Sequence, residues 1–153
     1  MRSFFTLVFI TLMPGIALAQ DASAPEEALQ ILPAEDHEIE QFLWKNRVIV
    51  VFADNDADPR FQEQMTRLTD DPKLLTDRDV IVLTDTNPAD RSPARKKLRP
   101  RGFMMVLIGK DGVIHLRKPA PWRAREISRT IDKLPLRLQE ERDRRAAEPL
   151  VTQ

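Results

Sequence analysis

Three aspartates alternate in the stretch ADNDADPR: Asp54, Asp56 and Asp58. Carboxylates spaced this way can offer oxygen ligands to calcium or magnesium. A calcium loop beginning D-x-D-x-D needs glycine at its sixth position and glutamate at its twelfth. Here Pro59 and Met65 hold those places, which excludes a full EF-hand loop and leaves open a weaker, partly hydrated site.

The same residues could do covalent chemistry. A D-x-D pair at the end of a strand resembles the haloacid-dehalogenase arrangement, with Asp54 as nucleophile and Asp56 as acid/base. The later serine or threonine, lysine and acidic-pair motifs do not follow at strand ends, and Asp70-Asp71 falls in a loop after a helix. A structural reading competes: Asp58 caps a helix, while Asp54 and Asp56 pair with Arg60 or Arg101 or accept turn N–H groups. In a fourth reading the turn, with Arg60, Gln64 and Arg101, recognises a partner or a small polar ligand. The candidate surface is therefore Asp54, Asp56, Asp58, Arg60, Gln64, Asp85 and Arg101. No residue is assigned a catalytic, cofactor or metal role, and no cofactor is expected.

The elements that must position this turn are legible. Val48 to Phe52 is a continuous apolar run, which predicts a strand covered on both faces. Pro59 suits the first turn of a helix, and Phe61, Met65 and Leu68 recur at helical spacing to Thr69. Ligands of open α/β sheets sit outside the carboxyl ends of the strands, where this turn lies. Asp79 to Asp85 predicts a second buried strand, parallel to the first through a right-handed crossover that includes a helix. Its acidic end would then share one edge with the turn.

Asp36 to Asn46 predicts a short helix capped by Asp36, with Trp44 in the core. Pro93 to Leu98 predicts a helical turn. Around it cluster Arg91, Arg95, Lys96, Lys97, Arg99 and Arg101, read as a solvated face. Phe103 to Ile108 predicts a third strand. Gly109-Lys110-Asp111-Gly112 is a tight turn, and Val113 to Arg117 an edge strand that carries His115. Ala120 to Lys133 reads as an amphipathic helix with Trp122, Ile127, Ile131 and Leu134 inward, broken by Pro135. The charge-dense stretch from Leu136 reads as a fraying helix and tail. The expected core is Val48, Val50, Phe52, Ile81, Leu83, Met105, Leu107, Ile114, Leu116, Ile127 and Ile131. This element order predicts an α/β sandwich of two or three layers: a thioredoxin-like mixed four-stranded sheet in order 2-1-3-4 with flanking helices.

Composition bounds the function. The 153 residues suit one domain, with Lys+Arg equal to Asp+Glu at 24 each. No global field steers the chain toward nucleic acid or an anionic membrane. Two tryptophans and no tyrosine give little stacking surface. Cysteine is absent, which rules out thiol redox chemistry and cysteine metal sites. Residues 1–19 read as a secretory signal peptide: Arg2, an apolar core from Phe4 to Leu12, and the A-x-A site Ala17-Leu18-Ala19. An uncleaved anchor is the competing reading, but Pro14-Gly15 interrupts a run shorter than the roughly 20 residues that span a bilayer. The expectation is a bacterial periplasmic or secreted protein with no membrane span after cleavage. Residues 20–35 are expected as a disordered lead-in, 36–136 as the domain, and 137–153 as a charged tail.

The strings WKNRVIVVFADNDADPRFQEQ, LTDRDVIVLTD, GFMMVLIGKDGVIHLR and IDKLPLRLQE together resemble one family. This is the thioredoxin-like domain of unknown function also called the DUDES domain, domain-of-unknown-function family 4174. It occurs alone in secreted bacterial proteins and within vertebrate extracellular proteins. The resemblance covers roughly Ile39 to Glu141 and implies a thioredoxin-like fold without thioredoxin chemistry. Where thioredoxins carry Cys-x-x-Cys, this chain has Asp54 to Arg60. Where they place a cis-proline, it has Gly102-Phe103, with Pro100 slightly too early. The resemblance implies no agreed enzymatic activity. The expected role is a periplasmic binding or interaction module whose partner is an envelope protein or a small polar ligand. The alternatives are a carboxylate- or metal-dependent enzyme at Asp54, Asp56 and Asp85, or an accessory acting through the charged C-terminal helix.

Overall fold

The computed structural model describes residues 28–148. The expected signal peptide and the first half of the lead-in lie outside the described residues. A five-stranded mixed sheet forms the centre, from β1 (Ile31–Pro33), β2 (Arg47–Phe52), β3 (Val80–Asp85), β4 (Met104–Ile108) and β5 (Ile114–Lys118), in the order β1-β3-β2-β4-β5. The four predicted strands take the predicted order. β2 and β3 are parallel, while β2–β4 and β4–β5 are antiparallel.

The fifth strand corrects two expectations: the strand count and the disorder of the lead-in up to residue 35. Ile31 to Pro33 pair in parallel with Val82 to Thr84. Three residues with a terminal proline give almost no strand pattern, and an existing edge supplies their partners.

Helices cover both faces, so the architecture has three layers. On one face α1 (Pro59–Thr69), α2 (Lys73–Thr76) and α4 (Ala124–Ile131) pack against Ile49, Val51, Val82, Met105 and Leu107. On the other, a 3₁₀ turn over Ile39–Phe42 and α3 (Pro93–Leu98) pack against Val48, Val50, Phe52, Ile81 and Val106. Every residue of β2 is buried, as its unbroken apolar run requires. α5 (Pro135–Ala147) closes the chain. None of the described helices is long and apolar enough to cross a membrane.

Several local expectations change. The helix before β2 is a short 3₁₀ turn after Glu38, and Asp36 does not cap it. Trp44 is 70% exposed with φ of 63°, because the chain must reverse there to enter β2, and its backbone N–H donates to the Lys110 carbonyl at 2.7 Å. Ile114, expected in the core, is 40% exposed on the edge strand, and Leu116 is half-buried. α4 starts at Ala124, so Trp122 precedes it. The hairpin turn follows its prediction: Gly112 takes φ of 79°, its N–H donates to the Gly109 carbonyl at 3.0 Å, and the pairing shifts register at Leu107/Ile108. The expected domain end at 136 falls inside α5, whose Arg137 is buried.

Candidate functional site

The carboxyl end of β2 delivers the chain into Ala53, still buried, and then into the exposed residues Asp54, Asn55, Asp56 and Ala57. α1 begins at Pro59 with Asp58 as its N-cap. The Asp58 Oδ1 atom accepts from the Arg60 N–H at 2.8 Å, and its Oδ2 pairs with the Arg60 guanidinium at 3.0 Å. Hydrogen bonding to the Arg60 side chain, then to its backbone, holds the Asp58 carboxyl below its ordinary range. Asp58 and Arg60 therefore satisfy each other, and Arg60 also lies over the Phe103 ring at 5.5 Å.

Asp54 and Asp56 behave differently. Among the described residues neither carboxylate accepts a hydrogen bond or joins an ion pair. The one bond at Asp56 is to its backbone carbonyl, from the Gln62 amide at 2.5 Å. Gly102, with φ of 58°, brings the loop before β4 against this turn, and a Cβ added there would stand 3.8 Å from Asp54 Oδ2. The backbone angle, more than space, reserves that position for glycine. Arg101 is exposed beside it and pairs with none of the three aspartates.

The remaining candidates are consumed by the fold. Gln64 is fully buried and clamps α1 to the segment before α4: its amide donates to the Trp122 carbonyl at 2.9 Å, and its Oε1 accepts the Trp122 N–H at 2.8 Å. It faces away from solvent and takes no part in the acidic turn. Asp85, at the end of β3, is buried beneath the turn. Its Oδ2 accepts from Ser92 Oγ at 2.5 Å and its Oδ1 from Arg95 at 2.7 Å. Arg95 continues to the Ala53 carbonyl at 2.9 Å and lies 5.4 Å from the Phe52 ring centre. Thus Arg95 joins the ends of β2 and β3 and does not belong to the solvated basic face. Lys97 is tied to Glu40, whereas Arg91, Lys96 and Arg99 stay exposed.

The Ser92–Arg95–Asp85 group escaped sequence reasoning. Its trace is Ser92-Pro93, a cap followed by a first-turn proline, with an arginine three residues on and one helical turn away. Beside it lies a cleft of about 170 Å³ bounded by Pro33, Glu35, Asp85, Asp90 and Ser92. A hydrogen bond with Asp90, and then its charge, push the Glu35 carboxyl above the usual range. The described residues hold no cluster of three His, Cys, Asp or Glu side chains arranged to grip a metal ion. Both oxygens of Asp85 are engaged by Ser92 and Arg95, whereas Asp54 and Asp56 stand on the exposed turn.

Residues 38–140, well over half the chain, match the family described as Domain of unknown function (DUF4174). The chain belongs to the DUF4174 family. No functionally curated protein matches it. Among solved structures, this DUF4174 domain is similar to a reduced 2-Cys peroxiredoxin from Plasmodium vivax, at 15% identity and a TM-score of 0.50, covering 69% of this chain and 84% of that one. It is also similar to thioredoxin peroxidase I of Plasmodium yoelii, at 17% identity and a TM-score of 0.52, covering 75% and 85%. Trxlp from Edwardsiella tarda matches at 17% identity and a TM-score of 0.50, covering 67% of this chain and 98% of that one. At such identities the likeness establishes the fold alone. The DUF4174 domain is thioredoxin-like, and it carries no cysteine with which to run thiol chemistry.

Proposed function

We propose that this DUF4174 chain is an exported, non-redox thioredoxin-like module that works in the bacterial periplasm by binding, with the acidic turn as its contact surface. The observation that carries the reading is the pair of unengaged carboxylates, Asp54 and Asp56, at the carboxyl end of β2. Around them Asp58, Arg60, Gln64, Asp85 and Arg95 have partners inside the fold. Charged groups left free beside a rigid, fully bonded base are poised to meet an external donor. Arg101, exposed and without an ion pair among the described residues, adds one cation at the rim and favours a polar ligand with both donors and acceptors. The N-terminal pattern of Arg2, the apolar core and Ala17-Leu18-Ala19 supports export.

The test is capture of envelope proteins by the purified protein and by an Asp54→Asn/Asp56→Asn variant, with a thermal-shift series over calcium, magnesium, manganese and zinc. The expected result is a discrete partner retained by the native protein and lost by the variant. A ligand at about 100 times its dissociation constant stabilises by roughly 2.7 kcal/mol, a shift of a few degrees. A metal-induced shift of that size, abolished by the variant and accompanied by no partner, would replace this reading with a metal site.

A further inference from the structure

α5 carries two stripes of side chains with opposite fates. Arg137, Glu141 and Arg144 follow i, i+4, i+7 spacing and are tied together: Arg137 pairs with Glu141 at 2.5 Å, and Arg144 with the same carboxylate. Leu138, Arg142 and Arg145 follow the same spacing one residue on, so they share the next face. Leu138 is 49% exposed, and Arg142 and Arg145 are exposed and join no close ion pair among the described residues, although Arg145 adds its charge to those that hold the Glu141 carboxyl low. The Arg142 Nε atom donates only to the Leu138 carbonyl at 3.2 Å.

These stripes wall a groove of about 770 Å³ between α5 and the Asp77-Arg78 segment that enters β3. Its carboxylates are already engaged. Asp132 receives Arg78 through two bonds of 2.8 Å, and Asp77 pairs with Lys73 at 2.9 Å. Arg137, which bounds the groove, is more than nine-tenths buried, yet its Nε has no hydrogen-bond acceptor. The Arg137 Nε atom is sealed from solvent and lies 3.9 Å from Asp132 Oδ1, so what the groove presents is surplus positive charge and one apolar handle.

We infer that this groove docks an acidic peptide segment of a protein partner. Carboxylates of the segment would meet Arg142 and Arg145, and an apolar side chain would cover Leu138. From residue 138 to 145 the stripe runs about 10 Å along the helix, the length of about three extended residues. A lone phosphate is too small to use both ends of that stripe. Guanidiniums take carboxylates in bidentate fashion, which orients the segment along the helix. This surface lies on α5, apart from the acidic turn, and its charge is opposite.

The experiment is fluorescence anisotropy of the purified protein with a labelled peptide alternating glutamate and leucine, beside the glutamine-for-glutamate peptide. Inorganic phosphate serves as competitor, and vesicles of phosphatidylglycerol and phosphatidylethanolamine are tested separately. Binding of the acidic peptide is expected, weakened about tenfold by Arg142→Gln/Arg145→Gln, weakened again by Leu138→Gln, and little affected by phosphate. All three side chains are exposed, so an unchanged melting temperature verifies folding. Asp54→Asn/Asp56→Asn should leave this binding intact, which separates it from the acidic turn. The inference is overturned by absent binding, by equal affinity for the glutamine peptide, or by affinity that survives the arginine substitutions. Full displacement by phosphate, or loss of peptide to the anionic vesicles, also overturns it in favour of those occupants.

Discussion

The two ends of the central sheet use charge in different ways. At the carboxyl end of β2 and β3 an internal polar group, Asp85–Ser92–Arg95, closes the sheet, and free carboxylates stand above it. At the amino end the charges knit a covering helix to the strands. Arg47, only 1% exposed at the start of β2, donates to Glu140 of α5 at 2.9 Å and to the Arg78 carbonyl at 2.9 Å. Lys110 of the hairpin turn reaches Glu140 at 3.0 Å and Asp79 at 2.7 Å. One end thus leaves Asp54 and Asp56 exposed above an engaged Asp85, and the other ties Glu140 and Asp79 into ion pairs. The difference teaches that charge density along the sequence does not locate a binding surface. What locates it is which charges remain after the fold has satisfied its own.

The largest expected effect lies under the turn. Asp85→Ala strands the Arg95 guanidinium and the Ser92 hydroxyl, and should cost about 3–5 kcal/mol by urea denaturation. Adding Arg95→Met removes the orphaned charge and should recover part of that loss. Equal loss in the single and double variants would deny that the pair acts as a unit.

At the amino end, Glu140→Ala leaves Arg47 and Lys110 without a shared acceptor. Glu140 is partly exposed, so the cost should be about 2 kcal/mol, with loss of α5 protection in hydrogen exchange. If α5 stays protected, the helix is held by its backbone and apolar contacts instead.

Acid should separate the two ends. Burial pushes Glu140 up, but Lys110 and Arg47 outweigh it and hold the carboxyl below its ordinary 4.5; Arg78 holds Asp132 below 3.8. For such groups the unfolded chain takes up protons first. Their stabilisation is complete above those ordinary values and is lost as pH falls through the lowered native ones. Glu35 has the opposite sign, raised by Asp90, so its contribution fades as pH rises through its native value. Urea midpoints between about pH 3 and 6 should fall toward acid, and Glu140→Gln should flatten that limb while Glu35→Gln should not.

The smallest effect is expected for Asp54→Asn and Asp56→Asn. Exposed groups without partners should change stability by no more than about 0.5 kcal/mol. A clear stabilisation on neutralising them would mean mutual repulsion held for function. A loss above 1 kcal/mol would return the turn to a structural role.

Sequence alone determined the strand order of the four main strands, the bounds of α1 at Pro59 and Thr69, the Asp58 cap and the Gly112 turn. Each is a local matter: apolar period, cap chemistry, or a positive φ that glycine accepts. The absence of cysteine likewise needed no coordinates to exclude thiol exchange. Tertiary structure alone decided that Gln64 serves Trp122, that Asp85 belongs to Arg95, and that Trp44 turns outward. It also decided that Ile31 to Pro33 extend the sheet and that α5 docks through Glu140. These depend on partners 10 to 93 residues away in the chain. A side chain's type states which bonds it can make, and only the folded chain brings within reach the group that takes them.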